Sequence, residues 1–242
     1  MLPFIFFACQ HHPITPKEEA REYKMVIEGV MEHPTQEGVV DTLSIDLTFR
    51  MTPHERFPDD SVSYTMWVTD ARITQNGEDK DNHLIQKWVR PRAFEHGELL
   101  SIQHMDLWSQ DDPILQSFDV LWFVLYPNPP NINKKESKPS LARYPIRLSE
   151  LQKSRAVYNN RWELQSVSRT ATLTYSGKTD IRGVWNDWKQ TGKGNLNGEV
   201  IVSSQGGVPL KHTGEISREM CYTKESQVCQ NQTFRFTLDK KQ

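Results

Sequence analysis

Long apolar runs are missing from this 242-residue sequence, and so is a dominant charge. Its 29 Lys and Arg residues face 31 Asp and Glu, a formal net charge of -2. The sum supplies no long-range field that would draw nucleic acid or an anionic surface, and no nucleic-acid partner is expected. The apolar stretches at residues 2–8 and 114–125 both fall short of the roughly 20 residues that a membrane-spanning helix needs. There is no Gly-rich phosphate loop, no His-Glu-x-x-His, no Gly-x-Ser-x-Gly and no Cys-x-x-Cys. No cofactor and no catalytic residue are therefore expected. Hydrophobic residues at 36% and aromatics at 10% suffice for a core, and a charged fraction of 25% is that of an ordinary folded domain. The length fits one large β domain or two small ones.

Period-two alternation dominates what is present. Leu43, Ile45, Leu47, Phe49 and Met51 alternate with Ser44, Asp46, Thr48 and Arg50, so one face of a strand enters a core and the other meets water. Val62, Tyr64, Met66 and Val68 repeat the pattern, and Tyr23, Met25 and Ile27 suggest a strand before them. Further strands are predicted over 83–89, 99–105, 161–168, 171–175, 198–203, 209–219 and 233–238. Turns are predicted at Ser176-Gly177, at 192–198 and at 205–208, with Pro91 and His96-Gly97 as further punctuation. Long alternating strands joined by turns imply an antiparallel sheet with one buried face.

One segment departs from this rule. Asp111-Asp112-Pro113 has the form of a helix start, and Ile114, Leu115, Phe118, Leu121, Trp122 and Leu125 follow at three- and four-residue spacing. Tyr126-Pro127 ends the run. The helix, about 111–126, is expected to lie against the apolar face of the sheet. Residues 128–140 are polar and read as a solvated loop. The expected fold is mostly β, a curved antiparallel sheet or half-barrel packed against one main helix. Two β halves, 22–110 and 141–242, form a single domain after a tether at 1–21.

Metal and acid–base candidates are sparse, and no metal site is expected. Residues 78–83 begin like a calcium loop, but the sixth position is Leu84 and the twelfth Arg90, so a polar hairpin turn is the better reading. His104-x-Asp106 would place two ligands on one strand face without a third. Asp111-Asp112 is explained by capping and Asp59-Asp60 by a turn. Trp185-x-x-Trp188, beside Asn186 and Asp187, is a candidate sugar-stacking pair. Within a single strand the two rings would face opposite sides, one in the core and one at the sheet edge. Asn231-Gln232-Thr233 matches a glycosylation acceptor.

The first residues read Met1-Leu2-Pro3-Phe4-Ile5-Phe6-Phe7-Ala8-Cys9-Gln10. An apolar run ending in a small residue and then Cys resembles the end of a bacterial lipoprotein signal, although no Lys or Arg precedes the run and Phe6 stands three before the Cys. The resemblance implies a lipid on Cys9, an envelope location with Gln10 pointing to the outer membrane, and a membrane contact through that lipid. The alternatives are a cleaved secretory signal and an apolar N-terminal strand with Cys9 as a buried thiol. With Cys9 modified, Cys221 and Cys229 are left to pair, closing a short loop worth roughly 2.5 kcal/mol in the chain-entropy account. The set of long strands, one strong helix and export also resembles the half-barrel lipoprotein carriers of bacterial envelopes. That resemblance implies a lipid or other apolar ligand, with Met25, Ile27, Leu47, Phe49, Met66, Phe118 and Trp122 lining either its cavity or a filled core. A structural or protein-interaction lipoprotein and a glycan-binding module are the alternatives.

Overall fold

The computed structural model describes residues 20–32, 38–80, 87–94, 99–103, 118–130, 138–149, 152–185, 187–203 and 209–241. Residues 1–19 with Cys9, His104, Asp106 and residues 111–117 lie outside them, as do the expected turns at 96–97 and 205–208, while Arg21, expected to end the tether, opens the first strand. The strands, in chain order, are β1 (Arg21–Glu32), β2 (Val40–Arg56), β3 (Ser61–Gln75), β4 (Glu78–Asp79), β5 (Trp88–Phe94) and β6 (Leu99–Gln103). A helix, α1 (Phe118–Leu125), is followed by β7 (Lys138–Ser149), β8 (Gln152–Val167), β9 (Thr170–Trp185), β10 (Trp188–Ser203), β11 (Lys211–Thr223) and β12 (Gln227–Lys240).

All the strands belong to one antiparallel sheet in the order β6-β5-β3-β2-β1-β12-β11-β10-β9-β8-β7, with β4 paired to β3. The sheet curls into a nearly closed barrel whose end strands β6 and β7 approach each other. The two β halves are therefore one sheet, joined where the first long strand pairs with the last: Tyr23 lies opposite Lys240 and Met31 opposite Gln232. Alternation sets the register, because a slip of one residue would turn every apolar side chain of β1 and β2 into water. Tyr23, Met25 and Ile27 meet Phe49, Leu47 and Ile45 across the β1–β2 ladder, and all six are buried. The outward positions carry Lys24, Glu28, Asp46 and Arg50. An apolar interior inside a charged exterior is the reverse of the lipid-facing belt of a membrane barrel.

The helix does not lie on one face with a wet side. Every residue from Val120 to Leu125 is fully buried, so α1 runs inside the curl of the sheet. Its sequence explains this: Val120, Phe123 and Val124 fill the gaps between the stripe positions, and a helix apolar all round must be enclosed. Phe123 is the hub. Its ring stacks on Tyr158 at 4.7 Å and meets Tyr175, Phe236 and Tyr144 edge-on at 5.5, 6.0 and 6.2 Å. Such pairs add about 0.5–1.5 kcal/mol each beyond the area they bury.

Several expected turns are mid-strand. Gly177 lies within β9 and Gly192, Gly194 and Gly198 within β10. These glycines are there for close approach, not for bending the chain. Tyr175, Gly198, Gly214 and Phe236 stand in one cross-strand row. The Tyr175 ring lies across β10 and β11, and a Cβ on either Gly198 or Gly214 would come within 2.5 Å of its hydroxyl. At Gly177 the Cβ space is taken by the Asn160 side chain. Pro91 is likewise not punctuation: it sits buried in β5 at a gap in the β3–β5 ladder, where its missing N–H costs no bond.

Gly214→Ala is expected to lower stability by about 1–3 kcal/mol, the range for overpacking a tight core. Urea denaturation measures it, and an unchanged midpoint would show that the row has slack.

Candidate functional site

Among the buried polar groups, two sets hold α1, one at each end. Asp119 stands in the first helical turn, where the exposed backbone N–H groups favour a negative charge. It is 2% exposed. Its Oδ2 accepts from the Tyr158 hydroxyl at 2.6 Å and from the Arg218 guanidinium. Arg218, equally buried, donates through Nε to the Gln232 side-chain oxygen at 2.9 Å and stacks over Phe234 at 5.0 Å. Tyr158, Thr179, Gly194, Arg218 and Gln232 form one in-register row across β8 to β12. This polar row crosses the interior face at the level of the helix start. Burial, then the neighbouring Asp119 charge, hold the Tyr158 phenol well above its ordinary pKa, so it donates its proton to Asp119 without losing it. Burial opposes the Arg218 charge, and Asp119 with Tyr158 outweighs it, leaving that pKa above its usual value. A buried pair of this kind adds little over an apolar replacement, yet deleting one partner strands the other at about 3–5 kcal/mol.

At the other end the helix leaves carbonyl groups without partners. His212 of β11 supplies one. Its Nδ1 lies 2.8 Å from the Val124 carbonyl and its Nε2 lies 2.8 Å from the Tyr175 hydroxyl. A carbonyl only accepts, so Nδ1 carries the hydrogen, and the neutral ring takes the Tyr175 proton at Nε2. The Tyr144 hydroxyl donates to the Tyr126 carbonyl at 2.5 Å. Burial drives the His212 pKa down from 6.5 to about 4, against the opposing effect of the Val124 bond. These contacts hold the helix in place.

The residues expected to carry function are placed as follows. Trp122 is buried in the core and Phe118 opens α1. Trp185 and Trp188 do not share a strand. They are the closing pair of the β9–β10 hairpin, directly opposite each other at positions on one face, with Asp187 in the turn at φ 67°. The expectation of opposite faces failed because it assumed a continuous strand. Trp188 is half-buried. Cys221 and Cys229 stand opposite each other at the outer end of β11 and β12 and form a disulfide. Glu219 lies beside them, but sulfurs bonded to each other do not ligate as thiolates. Asp59 accepts from Ser61 at 2.6 Å and Arg92 at 2.6 Å, an exposed turn contact. Asn76-Gly77, both at positive φ, turn β3 into β4, and Asp79 there pairs with Arg72 at 3.1 Å. Asp119, Tyr158, His212 and Arg218 were missed from the sequence. Their signal was a polar residue in a face otherwise apolar, as with His212 and Arg218 on the inward parity of β11.

No protein-family model and no curated protein matches the chain. Among solved structures, one titled "Asymmetric conductivity of engineered proteins" aligns with 90% of this chain and 100% of that one at 8% identity, with a TM-score of 0.24. A score that low carries no argument about fold or function.

Linkage gives the sign of the pH effect. Between pH 6.5 and about 4 the unfolded chain takes up a proton at His212 that the folded one refuses. The stability present above pH 6.5 is therefore lost as pH falls, by about 3 kcal/mol in all. Urea denaturation from pH 7 to 4 is expected to show this excess loss in the native sequence and not in His212→Gln. Parallel profiles would contradict it.

Proposed function

We propose that the protein is an exported binding module of the bacterial envelope, held to the membrane by a lipid on Cys9, that works through its outer surface. The observation that carries this reading is the close fit of α1 against the wall formed by β2, β3 and β5. The gap between α1 and the sheet at Leu47, Met66, Val68, Val89 and Leu121 holds about 10 Å³, near the least that a single water requires. An acyl chain has no room there beside the helix. Export is supported by the Cys221–Cys229 bond, since disulfides persist in oxidising compartments.

The rival reading is a carrier of apolar ligands. It is favoured by one observation: Val120 to Leu125 offer only apolar side chains to the surrounding wall, so α1 fills the place of an acyl chain and would have to leave for one to enter. A glycan-binding module would draw on the tryptophans at the hairpin end, where the half-buried ring of Trp188 offers little stacking surface.

Native and denaturing mass spectrometry of protein purified gently from its own host separates these readings. The expected result is a chain beginning at an acylated Cys9, lighter by the hydrogens lost to the disulfide, with no noncovalent passenger. A stoichiometric lipid passenger would establish the carrier. An unmodified Cys9 with free thiols would remove the envelope reading altogether.

A further inference from the structure

The near-zero net charge conceals a segregation that only the fold reveals. Around β1, β11 and β12 three cations are neutralised in pairs, Lys24 with Asp46 at 2.9 Å, Arg235 with Glu215 at 2.8 Å, and Lys241 with Glu22 at 2.8 Å, while Lys211 and Lys240 are exposed without an ion pair among the described residues. The outer face of β7 to β10 is different. Arg143, Arg155, Lys178, Arg182, Lys189 and Lys193 all point outward and are exposed. Among the described residues only Arg182 has an ion pair, to Asp180 at 3.0 Å. Glu163 and Glu199 lie in a row further along the strands, across from Thr174.

The register sharpens the point. Arg155 and Arg182 stand directly opposite each other on neighbouring strands, an unfavourable arrangement of like charges in which the one carboxylate of Asp180, bonded to Arg182, faces two guanidinium groups. Beside them a depression of about 410 Å³ is lined by three cations, Arg182, Lys189 and Lys193, by one acid, Asp180, already held by Arg182, and by Gly183, Gln190, Thr191 and Gly192. Apolar side chains sit among the cations. Leu141 is 39% exposed and Val184 is 45% exposed, on β7 and β9 of the same face.

We propose that this outer face of β7 to β10 seats on a bilayer surface bearing anionic phospholipid headgroups. The cations meet the phosphates, each adding to the attraction, and the exposed aliphatics enter the headgroup layer. That apolar share favours a membrane over a fully solvated polyanion. The proposal names the partner for the outer-surface reading above and rests on it.

The test uses the full chain carrying Cys9→Ser, so that no anchor contributes. It is expected to sediment with vesicles of equal parts phosphatidylglycerol and phosphatidylcholine, to ignore vesicles of phosphatidylcholine alone, and to be released by salt. Joint substitution of Arg155, Arg182, Lys189 and Lys193 by Ser is expected to weaken sedimentation at least about tenfold, whereas Ser at Lys24, Arg72, Arg235 and Lys241 is not. A measurement that needs no folded variant is lysine acetylation of the Cys9→Ser chain on the same vesicles, which should protect Lys178, Lys189 and Lys193 but not Lys24 or Lys80. Failure to bind, unprotected lysines, or equal loss from both sets of substitutions would overturn the docking. Binding to heparin as tight as to the anionic vesicles would also overturn it, making the face a polyanion site. If the chain ignores vesicles while mass spectrometry finds it acylated and without passenger, the docking falls and the outer-surface reading stands.

Discussion

A helix enclosed by a sheet must find partners for its terminal peptide groups and polar side chains on the wall around it. In this protein the contact between Asp119 and Arg218 meets that demand at the helix start, with Tyr158 donating to the same carboxylate. His212 and Tyr144 meet it at the helix end. Together they fix the depth and rotation of α1, and Phe123 then falls among four aromatic rings and the His212 imidazole. The ion pair sets position more than it adds stability. An apolar side chain in its place would pack as well but would not distinguish one helix register from another.

The glycine rows follow from the same constraint. Tyr175 reaches His212 only by lying over Gly198 and Gly214, so the wall must be thin where the ring crosses it. Arg218 likewise rises from β11 beside Gly194, where a Cβ would come within 2.5 Å of its own. Small residues at inward positions are the counterpart of the large rings that fill the barrel.

Strands were legible because burial on one face imposes a period of two, and Leu43 to Met51 carry it without exception. The disulfide was legible because Cys221 and Cys229 have no other partner if Cys9 is modified. The glycines misled: Gly192, Gly194 and Gly198 cluster as turn residues do, yet their even spacing puts them all on one strand face. The enclosure of α1 is written in the unbroken apolar run from Val120 to Leu125, which also contains the i, i+3, i+4 stripe of a helix with one wet side. The polar anchors were not legible, because Asp119 and Arg218 are 99 residues apart and nothing local marks them as partners. Charge segregation was lost in the sum, since it depends on which strands become neighbours.

Helix α1 is permanent core and not a removable occupant. Amide hydrogen exchange of Val120 to Leu125 tests this most directly. If the helix is core, its amides exchange only through global unfolding, with the same opening free energy as the central amides of β1 and β12. Exchange of the helix at a clearly lower free energy, while those strands remain protected, would show that α1 undocks by itself and would contradict the account.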